Sequence, residues 1–206
     1  MRVVRRYEAA DEVSWTRCRA LSFLQTAYFD DVVRSKPVFE TDAIELVALR
    51  GDELVGLVDV TIDGETATIE TIAVHPDRQR TGVATALLGE VLRLLPPSAD
   101  AVDAWTRDDV AANAWYQRRG FVEAYRYLHV YAGETEIAAA IATTSHGLTP
   151  VAGFFHAVVE AEAAMRERFG RVHLCRQYVL HREHQDAPGA AGAGVERTTE
   201  GLPLTS

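Results

Sequence analysis

The first residues able to do chemistry form the hexapeptide Gln79-Arg80-Thr81-Gly82-Val83-Ala84, which follows the apolar segment ending at Val74. A helix that begins at Gly82 leaves the backbone N–H groups of its first turn without intrahelical partners. These groups and the helix dipole attract an anion, and small residues let a phosphate approach the backbone. Arg78 and Arg80 can add charge-assisted hydrogen bonds. The hexapeptide therefore predicts either a phosphate-binding loop or an ordinary helix start with solvated arginines.

Other nucleotide and metal motifs are missing from the sequence. It contains neither G-x-x-x-x-G-K-[ST] nor G-x-G-x-x-G, so a P-loop and a dinucleotide fingerprint are excluded. Cys18 and Cys175 are far apart, and no His, Cys or Asp cluster has metal-ligand spacing. We therefore expect no metal site and no disulfide framework.

The hexapeptide is flanked by elements that hydrophobic periodicity and turn residues predict. Four strands joined as an antiparallel meander precede it, with a hairpin at Asp63-Gly64, and a helix at 11–33 follows the first strand. The remaining elements after the hexapeptide helix (82–95) are a strand at 99–106, a helix at 108–120, a strand at 121–132, an amphipathic helix at 154–168 and a last strand at 171–181.

The composition limits the class of protein. The chain has 206 residues, of which 48% are hydrophobic and 25% charged, as in a globular protein with one domain. A net charge of −9 argues against a nucleic-acid partner and is weakly compatible with a cationic substrate. No apolar run is long enough to span a membrane and no apolar signal-peptide segment follows the N-terminus, so a cytoplasmic location is expected. Arginine is far more frequent than lysine, which hints at a GC-rich, bacterial genome.

Taken together, the segments "AVHP", "QRTGVA" and, about thirty residues later, "NAWYQRRGF" resemble the GNAT superfamily of acyl-CoA-dependent N-acetyltransferases. The resemblance covers about residues 3–131 and the last strand at 171–182. It implies an α/β (α+β) fold: a mixed, mostly antiparallel seven-stranded sheet splayed between strands 4 and 5 and flanked by helices. An extra helix would precede the last strand.

The resemblance also implies a cofactor site for acetyl-CoA or another acyl-CoA in the cleft between strands 4 and 5. Backbone groups of the fourth strand would pair with the pantetheine arm, and backbone N–H groups of the loop and helix start would bind the pyrophosphate. The cofactor-binding residues expected on this basis are Ile72, Ala73, Val74, Gln79, Arg80, Thr81, Gly82, Val83, Ala84 and Thr85.

Two catalytic residues are expected. Tyr116 matches the family tyrosine that lies near the cofactor sulfur and protonates the departing thiolate, although it can also simply pack its ring on the sheet. Glu70 matches a position where many relatives carry a catalytic glutamate. Strand alternation places Glu70, Ile72 and Val74 on one face, which a strand bulge would change. Asp109 stands where the family frequently has asparagine.

The remaining expectations concern the organisation and function of the chain. Residues 1–182 would form one domain, with an enlarged connection at 133–170 that carries Phe154, Phe155 and His156 either to the acceptor pocket or into the core. Residues 183–206 would form a flexible tail, and a homodimer is compatible with the family. The expected function is acetyl transfer from acetyl-CoA to a primary amine by direct attack in a ternary complex. The alternatives are a non-catalytic CoA-binding regulatory module and a domain that binds another phosphate.

Overall fold

A computed structural model describes residues 2–141 and 149–182 of the chain. Eight strands form one mixed sheet in the order β1-β2-β3-β4-β5-β8-β6-β7, flanked by helices. The predicted fold class is confirmed, with one strand more than expected. The strands are β1 (Arg2–Arg6), β2 (Asp42–Arg50), β3 (Glu53–Asp63), β4 (Thr66–Val74), β5 (Ala101–Thr106), β6 (Val122–Ala132), β7 (Gly153–Ala157) and β8 (Arg171–His181). The helices are α1 (Glu12–Phe23), α2 (Val83–Leu94), α3 (Val110–Arg118), α4 (Ile137–Ala140) and α5 (Glu162–Arg168).

Strands β4 and β5 form the single parallel pair of the described sheet. Their register runs from Thr66 opposite Ala101 to Ile69 opposite Ala104, whereas β4 continues to Val74. The crossover through α2 makes this parallel pairing possible, because parallel neighbours need a long connection. Beyond Ile69 and Ala104 the two strands no longer pair, and we call this gap the β4–β5 cleft.

The two faces of the sheet carry different helices and different cores. Helix α2 lies on one face, the α2 face, where Leu87 and Val91 are fully buried against strand residues such as Val58, Val60 and Val102. Helix α1 lies on the opposite face, the α1 face, where Trp15 packs with Leu57 and Ala73. Burial of an aliphatic side chain contributes about 1.5–3 kcal/mol, so both layers hold the sheet in place.

The predicted helix at 154–168 is wrong in its first part. Residues 153–157 form strand β7, which pairs antiparallel with β6, and the helix is confined to Glu162–Arg168. Phe155 packs into a core with Leu128 and Val130, while Phe154 is half exposed on the other face. This period of two is that of a strand, and pairing with β6 outweighs the helical pattern downstream.

The first helix is shorter than the predicted 11–33, since α1 ends at Phe23. Thr26 forms a turn that ends the helix, because its hydroxyl donates to the carbonyl of Phe23 and accepts a hydrogen bond from the N–H of Tyr28. Arg19 then holds the returning chain by donating to the carbonyl and carboxylate of Asp31. The segment after α1 therefore folds back over the α1 face instead of extending as a helix.

Candidate functional site

The hexapeptide lies where β4 passes into α2. A 3-10 turn at Pro76–Arg78 follows β4, and Gly82 then precedes α2 with φ +80°, a left-handed conformation that favours glycine. The first intrahelical bond of α2 runs from the N–H of Ala86 to the carbonyl of Gly82. The N–H groups of Val83, Ala84 and Thr85 therefore have no partner within the helix. This is the backbone geometry that an anion site needs, and the binding of a phosphate stays a prediction.

The two arginines near this loop have different surroundings. The guanidinium of Arg78 donates to the carboxylate of Glu53 at 2.9 Å, and the carbonyl of Arg78 accepts the hydroxyl of Thr81 at 2.6 Å. Arg80 is exposed and has a positive φ of 59°. Arg78 thus ties the loop to the start of β3, and Arg80 is the arginine that remains accessible to an anion.

The fourth strand has a bulge at Glu70. Asp59 of β3 lies opposite Thr71 and Val60 lies opposite Ile69, so Glu70 is the extra residue. Glu70 is exposed and accepts the hydroxyl of Thr61 at 2.7 Å. The predicted common face of Glu70, Ile72 and Val74 is therefore wrong, because the bulge shifts the alternation.

Beyond the bulge, Ile72 and Val74 pack on the α2 face, and Thr71 and Ala73 are buried on the α1 face. The backbone of residues 72–74 continues beside the β4–β5 cleft, after pairing with β5 has ended. This is the segment expected to bind a pantetheine arm, and that role stays a prediction.

Tyr116 is buried among aromatic rings on the α2 face. Its ring stacks on Tyr178 of β8, with centroids 5.4 Å apart and an interplanar angle of 11°, and contacts Phe121 edge to face. Burial raises the pKa of the Tyr116 phenol above its usual range, with smaller contributions from Tyr28 and Asp103. The phenol therefore stays protonated at neutral pH, as a proton donor must be.

Asp109, which replaces the usual asparagine, is the N-cap of α3. Its carboxylate accepts the N–H of Ala112 at 2.8 Å, and a carboxylate at this end also suits the helix dipole. Asn113, four residues later, donates to the carbonyl of Arg107 and accepts the hydroxyl of Tyr178. The cap and these bonds fix the helix that carries Tyr116.

A buried charged cluster on the α1 face was not recognised in the sequence. Lys36, the only lysine of the chain, is buried and forms ion pairs with Glu45 and with Asp59, the latter at 3.5 Å. Its ammonium also lies 4.9–5.5 Å from the ring centroids of Tyr7, Trp15 and Phe39. A single lysine and an aspartate inside the apolar strand "LVGLVDVTI" were the available signals, but nothing in the sequence showed that they meet.

Aromatic and imidazole side chains line the α1 face of the second half of the sheet. Trp105, at the end of β5, contacts Tyr127, whose hydroxyl bonds to His129 at 2.8 Å. His129 stacks on His156, and burial together with nearby positive charge lowers the pKa of His129 to about 3. Of the residues expected at an acceptor pocket, Phe154 and His156 lie on this face, whereas Phe155 belongs to the core on the other side.

Within residues 2–141 and 149–182, no three His, Cys, Asp or Glu side chains are grouped so that they could hold a metal ion. In the same part of the chain, no helix combines the length and apolar character needed to span a bilayer.

Structural comparison gives a set of similar folds. The ribosomal-protein-S18-alanine N-acetyltransferase of Escherichia coli aligns with a TM-score of 0.54 at 15% identity, covering 93% of this chain and 100% of that one. The ribosomal-protein-alanine N-acetyltransferase of Brucella melitensis gives a TM-score of 0.55 at 12% identity, covering 87% and 99%. PaiA N-acetyltransferase of Thermoplasma acidophilum, solved with coenzyme A, gives 0.52 at 14% identity, covering 60% and 91%. At these identities the similarity shows the fold alone.

Sequence comparison adds the family. No curated protein matches the chain. The sequence model of the acetyltransferase (GNAT) family matches residues 5–121, which include the meander, the hexapeptide loop, α2, β5 and the helix of Tyr116. The chain therefore belongs to the GNAT family of acetyltransferases.

Proposed function

We propose that the protein transfers an acetyl group from acetyl-CoA to a primary amine, by direct attack of the amine on the thioester. The observation that carries the proposal is the β4–β5 cleft, which opens beside a helix start whose first N–H groups have no intrahelical partner and whose Gly82 leaves space at the backbone. Family membership supports this arrangement as a site for the cofactor.

The cofactor would bind by two sets of backbone groups. Residues 72–74 would pair with the pantetheine arm along the unpaired edge of β4, as a further strand does at a sheet edge. N–H groups from Arg80 to Thr85 would bind the pyrophosphate, with the Arg80 side chain adding charge. Gln79 and Thr81 would line the same loop. A coenzyme A complex of a structurally similar N-acetyltransferase supports this choice of cofactor.

The chemistry requires a neutral amine and a protonated leaving group. Glu70, exposed on the bulge, would take the first proton from the arriving ammonium and pass it to solvent. Backbone donors at the cleft would stabilise the oxyanion of the tetrahedral intermediate. Tyr116 would protonate the thiolate of coenzyme A as the carbon–sulfur bond breaks.

The acceptor is assigned only as a class. Two structurally similar enzymes act on the alanine of ribosomal proteins, so peptides beginning with alanine belong in a screen beside polyamines and aminoglycosides. We place the reaction in the cytoplasm, where acetyl-CoA is available, and homodimerisation remains compatible with the family.

A non-catalytic CoA-binding module is the second candidate. The feature that favours it is Asp109 in the asparagine position, and the capping bond from Ala112 gives this carboxylate a structural role that is compatible with either candidate. Release of free thiol from acetyl-CoA in the presence of an amine separates the two, since a binding module releases none.

The first prediction concerns the phosphate loop. Gly82→Glu places a carboxylate where the pyrophosphate is expected, so calorimetric titration should show micromolar binding of acetyl-CoA and of desulfo-CoA to the wild type and none to the variant. Gly82→Ala is the matched control: it imposes the same strain at positive φ, about 1 kcal/mol, without the charge, and it should keep most of the affinity. Failure of the wild type to bind either compound would reject the cofactor assignment.

A further inference from the structure

Asp59 and Thr71 are buried polar residues on neighbouring strands. Asp59 is fully buried and Thr71 is 9% exposed. The Lys36 ammonium forms an ion pair with one Asp59 oxygen at 3.5 Å. Among the described residues, however, neither the Asp59 oxygens nor the Thr71 hydroxyl has a hydrogen-bond partner. Because nearly all buried polar groups are satisfied by protein or by ordered water, these oxygens indicate a position for water or for a polar substrate group.

The two side chains face each other. Asp59 of β3 and Thr71 of β4 are cross-strand partners, and both point to the α1 face, since Val58, Val60 and Ile72 beside them pack on the α2 face. Directly opposite residues have Cβ atoms about 4.5–5.5 Å apart. A single water between the carboxylate and the hydroxyl would satisfy both.

Thr71 also lies at the β4–β5 cleft. Pairing with β5 ends at Ile69, Glu70 is the bulged residue, and Thr71 is the next residue of β4. Thr71 therefore lies beside the cleft to which the proposed function assigns the thioester, and Asp59 lies on the strand on its other side.

We propose that Asp59, acting through the Thr71 hydroxyl and a bridging water, accepts the second proton that the acceptor nitrogen loses during acetyl transfer. This inference rests on the proposed function and adds a residue to it. The exposed Glu70 accepts the first proton. The buried pair of Asp59 and Thr71 accepts the proton that the nitrogen releases after the carbon–nitrogen bond has formed.

The neutral amine forms the carbon–nitrogen bond, and its nitrogen in the tetrahedral intermediate becomes positive. That nitrogen gives a proton through the Thr71 hydroxyl and the water to the Asp59 carboxylate. The carbon–sulfur bond then breaks and the thiolate takes the proton of Tyr116. Protonated Asp59 gives its proton back to solvent through the water and the Thr71 hydroxyl, and the Tyr116 phenolate regains a proton from solvent. Amide and free coenzyme A leave the site, and the one net proton has departed through Glu70.

Charges from three elements act on Asp59. The pKa of Asp59 is raised to about 6, chiefly by burial and also by the negative charge of Glu45 on β2. Lys36, from the segment after α1, and Arg19 of α1 lower it. The carboxylate is therefore ionised at neutral pH, and its proton affinity is high for an aspartate, as suits a transient acceptor.

The first test removes the relay. Asp59→Asn and Thr71→Val should lower kcat about 10²-fold or more, whereas the KM for acetyl-CoA should stay near the wild-type value. Thr71→Ser, which keeps the hydroxyl, should retain most of the activity. Glu65→Gln, a carboxyl-to-amide change at an exposed residue of the β3–β4 hairpin, is the control for unaltered activity, because this hairpin lies at the end of β4 away from the cleft. Rates are followed by thiol release with an alanine-initiated peptide, a polyamine and an aminoglycoside.

The second test changes the charged neighbours of Asp59. The relay needs ionised Asp59, so the acid limb of the kcat profile should follow the pKa of Asp59. Lys36→Met removes a charge that lowers this pKa, and the limb should move to higher pH. Glu45→Gln removes a charge that raises it, and the limb should move to lower pH. A purely structural role for the cluster would not give shifts of opposite sign.

The outcomes are distinct. Wild-type kcat in Asp59→Asn, or displacement of the limb in the same direction by both charge variants, would overturn the relay and leave the proposed function standing. A wild type that binds acetyl-CoA but acetylates none of the three amines would reject the proposed function, and the relay with it. Thermal unfolding and acetyl-CoA titration are measured for every variant, and if Asp59→Asn does not fold, the comparison of Thr71→Val with Thr71→Ser decides.

Discussion

The Tyr116 ring is held by its neighbours more firmly than a surface tyrosine would be. It is 5% exposed and stacks against Tyr178, whose hydroxyl is in turn bonded to Asn113. A group whose rotamer is fixed by packing needs little reorganisation when it donates a proton. The same packing also gives Tyr116 a structural role, so a test of its chemistry must preserve the ring.

Tyr116→Phe preserves the ring and removes only the hydroxyl. We expect kcat to fall about 10²-fold, with the thermal midpoint and the Kd for acetyl-CoA near their wild-type values. Tyr116→Leu is the contrasting variant, because it opens a cavity and should lower stability as well. Unchanged kcat in Tyr116→Phe would leave the tyrosine a packing residue only.

At single residues, the sequence predicted local backbone features better than contacts between distant segments. Gly82 could be placed because a helix start after an apolar strand is a local pattern. The exposure of Glu70 could not be predicted, since it depends on the bulge opposite Asp59. The meeting of Lys36 with Glu45 and Asp59 joins three separate segments, and no local pattern encodes such a contact.

Among the elements, those with strong local signals were predicted well. The hairpin at Asp63-Gly64 joins β3 to β4, with Gly64 at φ +58° as the turn requires. Helix α2 was recognised by its apolar stripe. Strand β7 was missed because only five residues form it, and the apolar residues that follow continue as a helical pattern. Its pairing with β6, distant in sequence, decides its conformation.

Helix α2 approaches β3 closely at Gly56, which gives a prediction for the packing of these two elements. A Cβ atom at Gly56 would lie 2.5 Å from Cγ1 of Val83 and 3.2 Å from the carbonyl oxygen of Ala73. Gly56→Ala should therefore push the start of α2 away from the sheet, lower the free energy of unfolding by about 1–3 kcal/mol and weaken acetyl-CoA binding.

Two variants check this interpretation by denaturant unfolding and calorimetry. Adding Val83→Ala to Gly56→Ala should recover part of both losses, because it removes the closest contact. Gly89→Ala lies on the exposed side of α2 with open space around it, and it should stabilise the protein by up to about 1 kcal/mol. Equal losses from Gly56→Ala and Gly89→Ala would contradict the packing argument.

In the whole molecule, β8 joins the two halves of the sheet, because it lies between β5 and β6. After β8, Arg182 binds back to the segment before β5: its N–H donates to the carbonyl of Asp100, and its guanidinium donates to those of Pro96 and Ala99. The order of strands could not be read from periodicity, which identifies elements but not their neighbours. The family resemblance supplied that order.

These hydrogen bonds of Arg182 predict that a chain ending at this residue keeps the fold and the site. Its thermal midpoint and its Kd for acetyl-CoA should equal those of the full chain, because the contacts described at the site lie before residue 183. Arg182→Ala in the shortened chain should lower the midpoint, since it removes the guanidinium contacts to the carbonyls of Pro96 and Ala99. A large loss of affinity on shortening would show that residues 183–206 contribute to binding.

The burial of Lys36 has a further consequence for a protein in an acetyltransferase family. The sequence holds one ε-amino group, which is 7% exposed and enclosed by aromatic rings and two carboxylates. Thioesters acylate accessible lysines without any enzyme, and this chain offers them none. Its surface is therefore inert to lysine self-modification by the cofactor it is proposed to use, and amine-reactive reagents would modify no lysine of the folded protein.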